Sequence, residues 1–309
     1  SFSREREEGI PLDSSLERVP VGVCVGITPF NFPIMVPLWM WPMAIACGNT
    51  FVLKPSEKVS QCALREVELA HEAGLPAGVL NLVTGGPDVV NHLITHDDVR
   101  AVSFVGSTPV AKHIYSTASS TGKRVQCMAG AKNTMIIMPD ANQDAAIDGV
   151  IGSSMGNTGQ RCLAGSVAVL VGDAGDWFIP KVVEAAKQIK VSRGDEAGCG
   201  MGPLIDEARV ARVTKAIEGG VEEGAELLLD GRKAKLPGAG FVGPTIFDHV
   251  PHDSALAMEE IFGPVVTLIP FEEESEAVEI ANSTEYGLSA TIWTEDPEKA
   301  NRVADAVDS

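Results

Sequence analysis

Val102-Ser103-Phe104-Val105-Gly106-Ser107-Thr108-Pro109 is the stretch on which the fold turns. The residues 102–105 are β-branched or aromatic at three of four positions, a strand signal. Gly106 then supplies a tight turn. Pro109 suits the first helical turn, Ser107 or Thr108 suits the cap, and the spacing predicts a helix over 109–119. Strand, glycine turn and helix in that order make the repeating unit of an α/β fold. Open backbone amides at such a helix start attract a phosphate or pyrophosphate, although a plain cap has the same sequence.

The alternation continues on both sides. Upstream, strands are predicted over 21–27, 50–53 and 79–83, with helices over 35–47, 60–73 and 88–94. Downstream, strands are predicted over 125–127, 135–138, 166–171, 227–229, 265–271 and 290–293. Helices fall over 143–153, 178–189, 206–218 and 274–282, and a last one lies within 296–309. The strand count and a shift in composition place a domain boundary near residue 130, at Ala129-Gly130-Ala131.

The 309 residues carry 24 Lys and Arg against 42 Asp and Glu, a formal charge of −18. Such a surface repels phosphate backbones, which excludes a nucleic-acid binder and argues against an anionic-membrane anchor. Hydrophobic residues make up 45%, enough for a large core. The longest apolar stretch, 32–48, is broken by Pro33, Pro37 and Pro42, so it is no membrane span. Six cysteines lack metal spacing and disulfide-scaffold density, which favours a reducing compartment and no metal. Both ends read as cut: the chain starts at Ser1, and its last helix has nothing after it.

Two motifs are decoys. Gly238-Ala239-Gly240-Phe241-Val242-Gly243 has the dinucleotide spacing, but Pro244 and a β-like run follow where a helix is required. A surface turn is expected. Gly152-Ser153-Ser154-Met155-Gly156 matches the serine-hydrolase elbow, with Ser154 as nucleophile and His249 or His252 as base. It follows helical periodicity rather than a strand, which weighs against that class.

The residues that carry chemistry lie elsewhere. Cys162 stands in Gly156-Asn157-Thr158-Gly159-Gln160-Arg161-Cys162-Leu163, a polar glycine loop between a helix and a strand. Arg161 and loop amides favour the thiolate, while a buried inert cysteine is the plain alternative. Asn31 in Pro29-Phe30-Asn31-Phe32-Pro33 places an amide in a proline-fixed turn after a strand, where it can donate to an oxyanion or merely form the turn. Lys54-Pro55-Ser56-Glu57 follows another strand end, where open α/β sheets bind cofactors.

Together, PFNFP (29–33), KPSE (54–57), FVGST (104–108), GQRC (159–162) and EEIFGP (259–264) resemble the aldehyde dehydrogenase superfamily, in order and over nearly the whole chain. The resemblance implies a Rossmann-type NAD-binding domain over 21–130 and a second α/β catalytic domain over 131–309, incomplete at its C-terminus. Residues 1–20 would be a remnant of the oligomerisation arm, with a hairpin over 9–20. It implies Cys162 as nucleophile and Asn31, with the Cys162 backbone N–H, as oxyanion hole. Thr28, Phe30, Lys54, Glu57, Gly106, Ser107, Glu260 and Phe262 would bind the cofactor. Lys54 and Glu57 would hold the adenosine ribose, and Glu57 would repel a 2′-phosphate, preferring NAD. Glu260 would hold the nicotinamide ribose, with Phe262 beside the nicotinamide.

Hydrolytic members carry a Glu in a segment that here reads Met128-Ala129-Gly130-Ala131-Lys132. With Met128 in place of that base, water attack is slowed and a thiol acceptor is favoured, because a thiolate is a strong nucleophile without help. The segment 128–133, residues 30–40 and GQRC are most similar to the CoA-acylating methylmalonate-semialdehyde dehydrogenases. The resemblance implies oxidation of methylmalonate or malonate semialdehyde, decarboxylation, and transfer of the acyl group to coenzyme A. Arg161 would pair with the substrate carboxylate. Subfamily members often have Asn near position 128, which Met cannot replace as a hydrogen-bonding group. The expected setting is the cytoplasm, or the mitochondrial matrix of a eukaryote, in a homo-oligomer (dimer or tetramer). The competing readings are a hydrolytic aldehyde dehydrogenase, a serine hydrolase at Ser154, and an inactive NAD-binding fragment.

Overall fold

The computed structural model describes residues 15–309. The predicted hairpin over 9–20 lies mostly outside the described residues, and 15–20 form neither helix nor strand. The chain divides into two compact units, one ending at Ala129 and the other beginning at Gly130.

The first unit runs β1 (Val23–Ile27), α1 (Met35–Ala46), β2 (Thr50–Lys54), α2 (Ser60–Glu72), β3 (Leu80–Leu82), α3 (Pro87–Thr95), β4 (Val99–Val105), α4 (Thr108–Ser120) and β5 (Arg124–Met128). Its five strands are parallel in the order β3-β2-β1-β4-β5. Side chains alternate between faces, as a pleated strand requires. Cys24, Phe51, Leu53 and Leu80 pack with Val36, Met40, Ala63 and Val67 of α1 and α2. Val25, Ile27, Val102 and Phe104 pack with Ile94, Ala111, Ile114 and Ala118 of α3 and α4. Burial on both faces explains why these strands read as near-continuous apolar runs. Helix α1 tolerates Pro37 because it lies in the first turn, where the N–H has no intrahelical partner, while Pro42 lies inside it.

The second unit runs β6 (Asn133–Ile137), α5 (Gln143–Met155), β7 (Gly165–Val171), α6 (Ala174–Lys187), α7 (Glu207–Glu222), β8 (Glu226–Leu229), β9 (Thr245–Asp248), α8 (Ala255–Met258), β10 (Val265–Phe271), α9 (Glu274–Asn282), β11 (Ala290–Trp293) and α10 (Pro297–Ala306). The sheet order is β11-β6-β7-β10-β9-β8, parallel except for the β8–β9 pair. Met135, Ile137, Ala168 and Leu170 face α5 and α6, whereas Ile136, Val167 and Val169 face α7 and α9. Among the described residues no helix is long and apolar enough to cross a membrane.

Three sequence expectations need adjustment. Strand β9 falls in the β-like run after Pro244; all four of its residues are buried, so no alternation marks it. Helix α6 starts at Ala174, ahead of the predicted 178. The predicted loop 156–159 is a short 3₁₀ turn with left-handed residues.

Candidate active site and cofactor cradle

In the first unit, β1 pairs with β2 on one side and β4 on the other, so their carboxyl ends adjoin where the strand order reverses. Ligands of open parallel sheets bind at that kind of switch point. Thr28, Phe30 and Asn31 follow β1, Lys54 ends β2, and Gly106 and Ser107 join β4 to α4. The Thr28 N–H donates to the Lys54 carbonyl at 3.1 Å, while the buried Thr28 Oγ1 has no partner. Lys54 is buried, and its Nζ lies 3.0 Å from Glu57 Oε2. Glu57 is held below the usual carboxylate range by a backbone hydrogen bond, against some burial, and by Lys54. The Gly106 N–H donates to the Met128 carbonyl at 3.1 Å, and a Cβ at Gly106 would meet the Phe104 ring at 2.4 Å. Ser107 is the α4 N-cap with extended backbone, and its side chain makes no cap hydrogen bond.

In the second unit, Asn142 caps α5 by accepting from the Ala145 N–H. The chain beyond α5 is unusual. Asn157 (φ 51°), Thr158 (57°) and Gly159 (68°) are three consecutive left-handed residues. Such a conformation costs non-glycine residues of order 1–3 kcal/mol and persists only where the surroundings impose it. They do so here. Thr158 Oγ1 donates to the Gly202 carbonyl (2.9 Å), Asn157 Nδ2 to the Gln160 carbonyl (3.2 Å), and the Ile205 N–H to Gln160 Oε1 (3.0 Å). Gly159 abuts the Gly263 carbonyl so closely that a Cβ would lie 2.0 Å from its oxygen.

The chain then makes a turn closed by the Ala164 N–H donating to the Arg161 carbonyl at 3.2 Å, with Cys162 at its second position. Asn133 Nδ2 donates to the carbonyls of Cys162 (2.8 Å) and Ala164 (2.9 Å). Arg161 Nη1 donates to the Gly152 carbonyl at 3.1 Å, and its buried Nε has no acceptor.

A strap over 255–264 forms the opposite wall. Lys132 Nζ donates to the carbonyls of Leu256 (2.7 Å) and Glu259 (2.8 Å). Burial lowers the Lys132 pKa to about 7, against the attraction of Glu260 and Glu259. Two bonds are what a neutral amine can donate. Glu260 Oε1 accepts from the Ala131 N–H at 3.3 Å, and the Glu260 carbonyl accepts from Arg212 Nη2 at 2.8 Å. Burial raises the Glu260 pKa despite the Ala131 N–H, Arg212, Arg209 and Lys132. Phe262 takes φ 57°, and the Arg209 guanidinium carbon lies 5.5 Å from its ring centroid, in cation–π range.

The second unit thus brings Cys162, Arg161, Glu260 and Phe262 around one small cavity, which Asn133 and Ala131 also line. The first unit brings Thr28, Phe30, Asn31, Lys54, Glu57, Gly106 and Ser107 to the carboxyl end of its sheet. Sequence reading missed Lys132, Asn133, Arg209 and Arg212. Lys132 and Asn133 are polar residues leading into a fully buried strand, but the groups they bind are distant in sequence.

The hydrolase reading of Ser154 is corrected here. Ser154 lies inside α5, 2% exposed, and its hydroxyl donates to the Val150 carbonyl at 2.5 Å. Residues 152–155 all lie within the helix, with no strand leading directly into them, so no elbow forms. His249 at the end of β9 places Nδ1 3.1 Å from Asp248 Oδ2, and His252 stacks edge-on against Phe271. Residues 238–243 form a turn and extended chain before β9, with no helix after them.

Comparison with known proteins gives the same direction. Residues 3–309 match the aldehyde dehydrogenase family. The malonate-semialdehyde dehydrogenase 1 of Oceanobacillus iheyensis is 48% identical over 300 residues, 96% of this chain and 62% of that protein. A methylmalonate-semialdehyde dehydrogenase structure from Oceanimonas doudoroffii superposes with a TM-score of 0.90 at 46% identity, covering 93% of this chain and 59% of that one. A Sinorhizobium meliloti structure, described as a methylmalonate-semialdehyde dehydrogenase complexed with NAD, gives 0.91 at 43% identity over 94% and 62%. The chain therefore spans less than two thirds of the length of these relatives.

Proposed function

We propose, from the premise that this chain belongs to the aldehyde dehydrogenase family, that the protein oxidises malonate or methylmalonate semialdehyde with NAD through a thioacyl intermediate on Cys162. The acyl group then passes to coenzyme A. The observation that carries this reading is the Cys162 turn, entered through three left-handed residues and lining one cavity with Glu260 and Phe262.

The first unit fits a dinucleotide. The partnerless Thr28 hydroxyl, the buried Lys54 ammonium and the Gly106 turn all stand at the switch point. Thr28, Lys54, Glu57, Gly106 and Ser107 would hold the adenosine and pyrophosphate portion, with Phe30 at the same sheet end. Glu260 and Phe262 are assigned to the nicotinamide by family resemblance alone. NAD, when bound, supplies the hydride acceptor.

The chain's own residues do the rest. The Cys162 thiolate adds to the aldehyde carbon, and the Cys162 N–H donates to the resulting oxyanion. Asn31 is assigned the second oxyanion donor by family resemblance alone. Removing one such donor typically costs about 10²–10³ in rate. Arg161 has a buried Nε without an acceptor, and that unspent donor supports a carboxylate partner. After oxidation the acyl group is a thioester of Cys162. Loss of CO2 shortens it, and thioester exchange with the CoA thiol releases acetyl-CoA or propionyl-CoA. Met128 stands where a general base would favour water, which supports the thiol as acceptor. The reading carries a homo-oligomer working in the cytoplasm.

The test is peptide mass spectrometry after mixing the protein with NAD and malonate semialdehyde without CoA. An acetyl adduct confined to the Cys162 peptide, and lost in Cys162→Ser, is the expected result. An unmodified Cys162 alongside continued aldehyde oxidation overturns the reading.

A further inference from the structure

The structure assigns Asn133 as the positioning residue for Cys162: its side-chain amide sets the turn that carries the thiol. This inference rests on the reading of Cys162 as nucleophile.

Asn133 is 4% exposed and opens β6, so rigid sheet backbone fixes its origin. Its Nδ2 spends both hydrogens on the nucleophile turn, at 2.8 Å to the Cys162 carbonyl and 2.9 Å to the Ala164 carbonyl. Facing two carbonyl oxygens, the amide can take only the donating orientation. That orientation leaves Asn133 Oδ1 buried without a partner. A buried orphan acceptor is unfavourable, so the donors are what the site retains the residue for.

The consequence is geometric. Holding the Cys162 carbonyl fixes rotation about the Cys162 Cα–C bond, and holding the Ala164 carbonyl fixes the far side of the same turn. The Arg161-to-Ala164 hydrogen bond and the Ser153 hydroxyl, which accepts from the Gly165 N–H at 2.9 Å, complete the frame. With both flanks pinned, the Cα–Cβ direction of Cys162, from which the thiol projects, and the plane of the Cys162 N–H are set together. A nucleophile and its oxyanion donor need that joint alignment, and a misplacement of about 1 Å can cost about 10² in rate.

Asn133→Asp tests this, because it keeps the shape and replaces the donor by an acceptor facing two carbonyls. Asn133→Ser, uncharged and smaller, is the second variant should N133D fail to fold. Folding is checked by a cooperative thermal transition and by unchanged alkylation of the exposed Cys47. The readouts are the rate of Cys162 alkylation by iodoacetamide against pH, and kcat separately from the KM for NAD. The expected result is a Cys162 rate about tenfold lower or more with a displaced pH profile, and a matching fall in kcat, while the KM for NAD stays within about twofold. Folded variants whose Cys162 profile and kcat superimpose on the wild type overturn the inference. A wild-type Cys162 that alkylates no faster than the other five cysteines overturns instead the nucleophile reading beneath it.

Discussion

In the proposed function, Met128 and Glu57 decide between chemistries at the level of single side chains. If Met128 is why water attacks slowly, Met128→Glu restores a base and raises CoA-independent turnover by about tenfold or more, measured as NADH formed with free acid as product. Glu57 lies half in solvent beside Lys54, at 3.0 Å. In the proposed ribose-binding role its charge would repel a 2′-phosphate, so Glu57→Gln is expected to narrow the ratio of kcat/KM for NAD over NADP by about tenfold, read from initial rates with each cofactor. Glu57 and Cys162 were legible as candidates, because KPSE and GQRC mark themselves by residue type. Lys132 and Asn133 were not. Their roles depend on carbonyls 124, 127, 29 and 31 residues away, which no local spacing reveals.

At the level of elements, the loop after α5 and the strap over 255–264 fix each other through backbone contact between Gly159 and Gly263. Gly159→Ala would place a Cβ 2.0 Å from the Gly263 oxygen and a side chain at φ 68°, so backbone must move. The variant is expected to lose roughly 2–4 kcal/mol in denaturant unfolding and most of its Cys162 reactivity. Lys132 makes the strap sensitive to pH. Its amine titrates near 7 in the folded chain against 10.5 unfolded. The unfolded chain therefore binds more protons between those values, and stability rises with pH across that window. Measured against Lys132→Met, the wild type should gain stability from about pH 7 to about pH 10, by at most roughly 1.4 kcal/mol per pH unit. Parallel stability curves for the two proteins would contradict the assignment. Several elements were readable to the residue. β10, α9 and β11 have the predicted bounds, since β-branched runs and a capping box at Glu273 and Glu276 mark them. β9 was readable only as a β-like run without bounds, because four consecutive buried residues carry no period.

Over the whole molecule, the α/β alternation read from strand, turn and helix signals is the architecture observed, with a parallel sheet in one unit and a mixed sheet in the other. The net charge of −18 weighs against nucleic acid as a partner but says nothing of either candidate site, whose charges are local: Lys54 in the first unit, and Arg161, Lys132 and Glu260 in the second. Pairing across the sheets was beyond sequence reading, because register depends on contacts between distant segments. The central step of the proposed function is the transfer of the acyl group from Cys162 to a thiol. NADH formation from malonate semialdehyde and NAD, followed with and without CoA, measures it most directly. A stoichiometric burst that stalls without CoA, and sustained turnover with acetyl-CoA as product when CoA is added, are expected. Turnover that continues at the same rate without CoA and yields the free acid would contradict that transfer.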